Sequence, residues 1–175
     1  MPMPPGWRKF VLAAHLTVSV GWIGAVAAYI VLDVAAATGQ DAQTLKTAYV
    51  AMERVARYAI VPLALASLIT GIVISLGTKW GLFRHYWVVI SFLLTVFATV
   101  VLLRETALIS SHADIAARTT SIDELRTLPS TLVHSVGGTV LLLVVLVLNI
   151  YKPRGLTRYG RRKEREQGAV ILPPG

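Results

Sequence analysis

Four apolar runs, residues 10–32, 58–76, 86–103 and 132–150, leave this chain few folds to choose from. At about 1.5 Å of helical rise per residue, each is long enough to cross a hydrocarbon core of roughly 30 Å. The third, with 18 residues, is the tightest fit. No soluble core of this size needs four such stretches. Hydrophobic residues make up 55% of the chain and charged residues 15%, and the mean hydropathy is +0.65. That balance belongs to a small membrane bundle. No stretch outside the runs can bury a core of its own, so a single domain is expected. It comprises an N-terminal segment 1–9, a four-helix transmembrane domain 10–151 and a basic tail 152–175.

A net charge of +8 raises the question of nucleic acid, but its distribution argues for a membrane instead. The termini and the short 77–85 turn hold eleven basic residues against two acids. The two longer connections hold six basic residues against seven acids. This is the positive-inside asymmetry, and it predicts both termini and the 77–85 turn on the cytoplasmic side of the cytoplasmic (inner) membrane. A cleavable signal peptide is the rival reading of the first run, with Ala35-Ala36-Ala37 as a small-residue cleavage site. At 23 residues, however, the run exceeds the usual signal core of about 7–15. Cysteine is absent, which removes disulfides, thiolate metal ligands and a thiol nucleophile.

Along the chain, residues 1–6 are rich in proline and are expected to be extended or disordered, with Trp7, Arg8 and Lys9 as an interfacial anchor. From Asp41 the pattern is amphipathic at helical spacing, so the second span is expected to begin outside the membrane and to bend near Pro62. Trp80, Phe83, Tyr86 and Trp87 form an aromatic belt at the 77–85 turn. The third span is expected to continue as an exposed helix through Ile115. Ser121-Ile122-Asp123-Glu124 has capping-box spacing, Pro129 suits the start of the fourth span, and Lys152-Pro153-Arg154-Gly155 ends it. The tail to Gln167 is predicted to be solvated or to rest on anionic lipid head groups.

Lipid tails are as apolar as leucine, so close backbone approach must drive helix association. Gly21 and Gly24 on the first span, Ser67, Gly71 and Ser75 on the second, and Gly137 and Gly138 on the fourth are the expected packing faces. His15 lies about five residues inside the first span, and Ser19, Trp22, Tyr29 and Asp33 share its side of a 3.6-residue helix. Such a stripe should face the bundle interior, as a satisfied histidine or as part of a haem, metal or proton site. His85 is expected at the cytoplasmic start of the third span, His134 near the outer end of the fourth, and His112 in solvent. Paired axial histidines are strained, because His15 and His85 differ in depth by about 8 Å at helical rise. One axial histidine with another ligand type stays open, whereas the scattered histidines make a poor zinc or copper site. The hydroxyls of Ser91, Thr95 and Thr99 are explained by hydrogen bonds within or between helices. No charge lies deep within any run, which counts against an ion pump built on carboxylates. No phosphate-binding glycine loop, HExxH or GxSxG occurs.

The pattern His15-x6-Trp22-Ile23-Gly24 resembles a bacterial superfamily that includes the copper-resistance protein D-like membrane domain and the related membrane protoporphyrinogen oxidase. The stretch Gly77-Thr78-Lys79-Trp80-Gly81-Leu82-Phe83-Arg84-His85-Tyr86-Trp87-Val88 resembles an uncharacterised, mostly actinobacterial subgroup of four-span proteins. The resemblance implies a histidine at position 15 that serves a porphyrin or a metal. Ala25 stands where relatives often carry a second glycine, and Ser91 where they carry a basic residue.

The sequence thus predicts an all-α, antiparallel four-helix membrane bundle with both termini cytoplasmic. Its leading functional expectation is an accessory module that binds haem or a transition metal around His15, with Trp22 and His85 as further cofactor-binding candidates. A redox enzyme acting on a porphyrin and a non-catalytic scaffold, homo-oligomeric or bound to a partner membrane protein, are the alternatives. Nucleic acid is not an expected partner, because no aromatic-rich face accompanies the basic tail.

Overall fold

A computed structural model describes residues 3–78 and 81–171, with the side chains of 167–171 excepted. Lys79 and Trp80, part of the expected basic turn and aromatic belt, lie outside the described residues. Among the described residues seven α-helices follow one another: α1 Pro5–Thr38, α2 Ala42–Val55, α3 Val61–Leu76, α4 Tyr86–Arg118, α5 Ile122–Arg126, α6 Leu132–Tyr151 and α7 Arg158–Ile171. A single π turn, Ala56–Ile60, joins α2 to α3. Four helical stretches are long and apolar enough to cross a membrane: α1, α2 through α3, α4, and α6. Among the described residues there is no strand, only an isolated bridge between His85 and Leu156.

The helices start and stop for local reasons. Asp41 caps α2: its carboxylate accepts from the Thr44 amide at 2.8 Å and from the Thr44 hydroxyl at 2.7 Å. Those donors hold the Asp41 carboxyl below the ordinary carboxylate range. A depressed folded-state pKa means that the cap's contribution is present above the unfolded value and lost as pH falls through the folded one. Hydrogen exchange at the Thr44 amide is therefore expected to lose protection on acidification into that lowered range in the native protein. An Asp41→Asn protein should show no such acid step.

Pro62 has no amide hydrogen, so the carbonyl four residues earlier cannot be paired by an ordinary α-helical bond. The chain responds upstream with a wider turn, in which the Val61 amide reaches back to the Ala56 carbonyl. Lys152, in the left-handed conformation at φ 45°, closes α6.

Three expectations are corrected. Residues 5 and 6 are helical rather than extended, because Pro5 occupies the first turn of α1, where a missing amide hydrogen does no harm. The capping box at Ser121 does not form. The Thr119 hydroxyl takes the Glu124 carboxylate instead and accepts from the Ser121 amide at 3.2 Å. His112 is not solvated: it is buried between the extension of α4 and α2, edge-on to Tyr49 at a ring-centroid distance of 6.3 Å.

Packing differs between the spans and the part beyond them. Along the spans, large apolar side chains such as Leu16, Ile69, Phe97 and Val147 are half exposed or more. In water that would be an aggregating surface; in hydrocarbon it is solvated. The largest fully buried side chains, Leu45, Met52 and Leu125, all lie on α2 and α5, beyond the expected spans. The hydrophobic effect needs water, and it builds a tight core only where water is the solvent. That core, with Ala116 of α4, caps one end of the bundle.

The opposite end is tied together by backbone. The Met3 amide donates to the Gly77 carbonyl at 3.2 Å, the Tyr86 amide to Gly155 at 3.2 Å and the Thr157 amide to Arg84 at 3.0 Å. The Thr157 hydroxyl donates to the Phe83 carbonyl at 2.6 Å and accepts from the Gly160 amide at 3.0 Å, capping α7 as it fixes its start. A Cβ at Gly160 would overlap the Arg84 carbonyl, so only glycine permits this approach.

Candidate functional site

The polar stripe of α1 divides into two environments. Toward the N-terminal end, the His15 Nδ1 lies 3.0 Å from the Thr70 hydroxyl, and the Ser19 hydroxyl lies 2.8 Å from that of Ser67. The Thr70 hydroxyl spends its one proton on the Ala66 and Ser67 carbonyls, so Nδ1 of His15 is the donor. A Cβ on Gly71 would stand 3.3 Å from His15 Cε1, and one on Gly21 would stand 3.4 Å from Leu63 Cδ2. The ring thus fills the seam between α1 and α3. Residue numbers fall along α3 as they rise along α1.

Toward the other end the stripe enters a buried polar cluster. Asp33 is 2% exposed. Its Oδ2 accepts from the hydroxyls of Thr131 at 2.9 Å and Ser135 at 3.0 Å. Thr131 has one proton and gives it to Asp33, so the Tyr29 hydroxyl, 3.0 Å away, donates to Thr131. Among the described residues the ion pairs are Arg57–Glu53, Arg162–Glu166 and, conditional on a charged histidine, His134–Glu105. None of these cations reaches Asp33.

This cluster borders the main cavity, about 610 Å³ in volume. Its walls come from α1 (Trp22, Val26, Tyr29), the π turn (Ala56, Ile60), α4 (Phe97 to Ile109) and α6 (Val133 to Leu142). The size lies within the usual range of about 300–1,000 Å³ for small-molecule sites. The lining is apolar over most of its length. Polar groups gather at one end: Tyr29, Thr131, Ser135, Glu105 and His134, with Arg104 beside them. Phe97 is 60% and Val133 81% exposed, so the wall between α4 and α6 faces the apolar surroundings of the bundle. The π turn widens the helix where Ala56 and Ile60 meet the cavity, and such turns recur at functional sites.

The sequence candidates are scattered by this geometry. Trp22 lines the cavity and is buried. His15 stands in the α1–α3 seam, and His85 precedes α4 beside Leu156; neither lines the cavity. Among the described residues no group of three His, Asp or Glu side chains is placed to hold a metal ion. Of the small residues expected to pack helices, Gly21, Ser67 and Gly71 sit in the α1–α3 contact, and Ser75 bonds the Gly71 carbonyl at 2.7 Å. Gly24, Gly137 and Gly138 do not: a Cβ there would meet no heavy atom within 4 Å. The glycines of α6 make room in the cavity rather than a helix contact. Ser91 takes the Asn149 amide at 3.3 Å, linking α4 to α6, while Thr95 and Thr99 bond backbone carbonyls of their own helix.

Glu105, Thr131 and Ser135 were not singled out by sequence. Thr131 and Ser135 sit at the start of α6, and Glu105 lies mid-helix just beyond the third apolar run, where polar residues are ordinary. The available signal was Asp33, whose offset of four from Tyr29 and eleven from Trp22 puts a carboxylate on the interior stripe. Comparison with family models, with curated proteins and with solved structures finds no match for this chain.

Proposed function

We propose that this chain is a multi-pass membrane protein that holds an amphiphilic small molecule in the cavity between α1, the π turn, α4 and α6. The observation that carries the reading is the cavity itself: about 610 Å³, apolar along its body, polar at one end, and walled toward lipid by exposed Phe97 and Val133. An amphiphile entering sideways from a leaflet would keep its tail among Trp22, Val26 and Leu141 and its head near Glu105. No step of bond making is assigned, so the role is binding or carriage.

The bundle is read as an up-and-down antiparallel one. The pairs His15–Thr70 and Ser19–Ser67, and Ser91–Asn149 and Glu105–His134, support this, since in each the numbering of one helix falls as the other rises. Both termini belong to the cytoplasmic side, supported by the positive-inside charge pattern and by the backbone ties from Met3 to Gly77 and from Tyr86 to Gly155. The cavity then opens in the outer half of the bilayer. The exposed basic residues of α7, among them Arg158, Arg161 and Lys163, face anionic head groups on the inner surface. Membership of the copper-resistance protein D-like superfamily is part of the proposal for the fold alone, resting on His15-x6-Trp22-Ile23-Gly24.

The test uses Trp22 as reporter and a terminally brominated long-chain alcohol as probe, in nanodiscs of neutral lipid. The Trp22 signal is the emission lost in a Trp22→Phe protein. The probe is expected to quench it in the native chain and to fail in Gly138→Leu, whose side chain extends into open space. Equal quenching in both proteins, or in neither, would overturn the reading.

A further inference from the structure

We infer that the cavity selects amphiphiles with a cationic, hydrogen-bond-donating head, a primary amine or its equivalent, over anionic ones; this rests on the cavity reading above. Three observations lead there.

The first is the buried carboxyl group behind the wall. Asp33 is 2% exposed and is held by hydroxyl groups alone. A buried carboxyl group with no cation beside it among the described residues is stabilised in its ionised form by a nearby positive charge. The two hydroxyls that hold it, Thr131 and Ser135, are themselves part of the cavity lining. Asp33 therefore lies one hydroxyl group behind the polar end, where its carboxyl favours a cation over an anion.

The second is the spacing of Glu105 and His134. Glu105 Oε2 and His134 Nδ1 are 3.8 Å apart, too far for a hydrogen bond between them. An ammonium group about 2.8 Å from each would subtend about 85°, narrower than the roughly 109° between its N–H bonds but within hydrogen-bond tolerance, so one head group can donate to Glu105 and to His134 in its Nε2-protonated tautomer. The Glu105 side chain is 18% exposed, which keeps its charge only weakly screened.

The third is the placement of the basic groups. Arg104, the one guanidinium among the lining residues, is an exposed residue at the rim, whereas Asp33 and Glu105 are on the inside. Past the rim, an anionic head would meet Glu105, with Asp33 behind the wall, and no further guanidinium of the lining. The acidic side chains at the inner polar end favour a cationic head once it is seated there.

The experiment compares three terminally brominated probes of equal chain length, an amine, an alcohol and a carboxylate, at equal mole fraction in neutral-lipid nanodiscs. The readout is again Trp22 quenching corrected by the Gly138→Leu protein. The amine is expected to bind about tenfold more tightly than the carboxylate, with the alcohol between them. In Glu105→Gln that ratio should fall below about threefold, with circular dichroism showing that the variant is folded. Alcohol entry with equal or tighter carboxylate binding would overturn the inference and leave the cavity reading standing. An amine preference that survives Glu105→Gln undiminished would overturn the role given to Glu105. Failure of all three probes to quench Trp22 would overturn the cavity reading itself, and the head-group inference with it.

Discussion

Met52→Ala is expected to destabilise the protein by about 2–5 kcal/mol, and Leu125→Ala by a similar amount. Both side chains are almost wholly removed from solvent, at 1% and 0% exposure, in the core that α2 and α5 build with the C-terminal end of α4. Truncation there leaves a cavity facing water-driven packing, and the surrounding helices relax only in part. The matched control is Ile69→Ala on α3, where the side chain is 60% exposed along a span. Lipid tails refill that space, so the change should be under about 1 kcal/mol. Reversible unfolding in mixed micelles, followed by circular dichroism, measures both. Equal losses at Met52 and Ile69 would mean that one solvent surrounds both, against the division into a lipid-bathed bundle and a water-facing cap.

Gly71→Leu is the second large effect expected. A Cβ at this position already approaches His15 Cε1 to 3.3 Å, and leucine adds three more carbons in the same direction. The added volume must push α1 from α3, straining the His15–Thr70 bond at 3.0 Å and the Ser19–Ser67 bond at 2.8 Å. Overpacking of this kind costs about 1–3 kcal/mol, and the lost hydrogen bonds add to it. Gly24→Leu, where nothing lies within 4 Å, should change little. The double variant His15→Ala/Gly71→Leu should recover a large part of the loss, giving a coupling of about 1 kcal/mol or more between adjacent sites. Strict additivity would show that His15 and Gly71 do not touch. The same variants separate the packing role of His15 from the ligand role implied by the family resemblance: a Soret band in purified native protein, lost in His15→Ala, would restore the haem reading.

The fold was legible in the sequence wherever solvent alone decides it. Apolar length gave the four spans, and the amphipathic stretch after Asp41 and the continuation past Arg104 gave the helices that leave the membrane. The π turn was half legible, since Pro62 predicts a break in the ladder but not its form. The cavity was not legible, because it is made of absences. Gly137 and Gly138 look like a helix contact in sequence, and only the positions of α1 and α4 show that nothing fills the space beside them. His15 drew notice as a basic side chain about five residues inside an apolar run, at the head of a polar stripe. Its partner Thr70 is 55 residues away, a pairing that sequence spacing cannot reveal. Asp33 looked like the end of a span, and the hydroxyls that bury it come from a loop and helix about 100 residues later.

The proposal that the cavity faces outward depends on which side of the membrane each helix end occupies, and the absence of cysteine makes that directly measurable. A single thiol is introduced at exposed Thr120, between α4 and α5, or at exposed Arg161 on α7. Sealed right-side-out vesicles are then treated with a membrane-impermeant maleimide. Thr120→Cys is predicted to react at once, and Arg161→Cys only after detergent opens the vesicles. Labelling of both sites in sealed vesicles, or of Arg161→Cys alone, would contradict the arrangement.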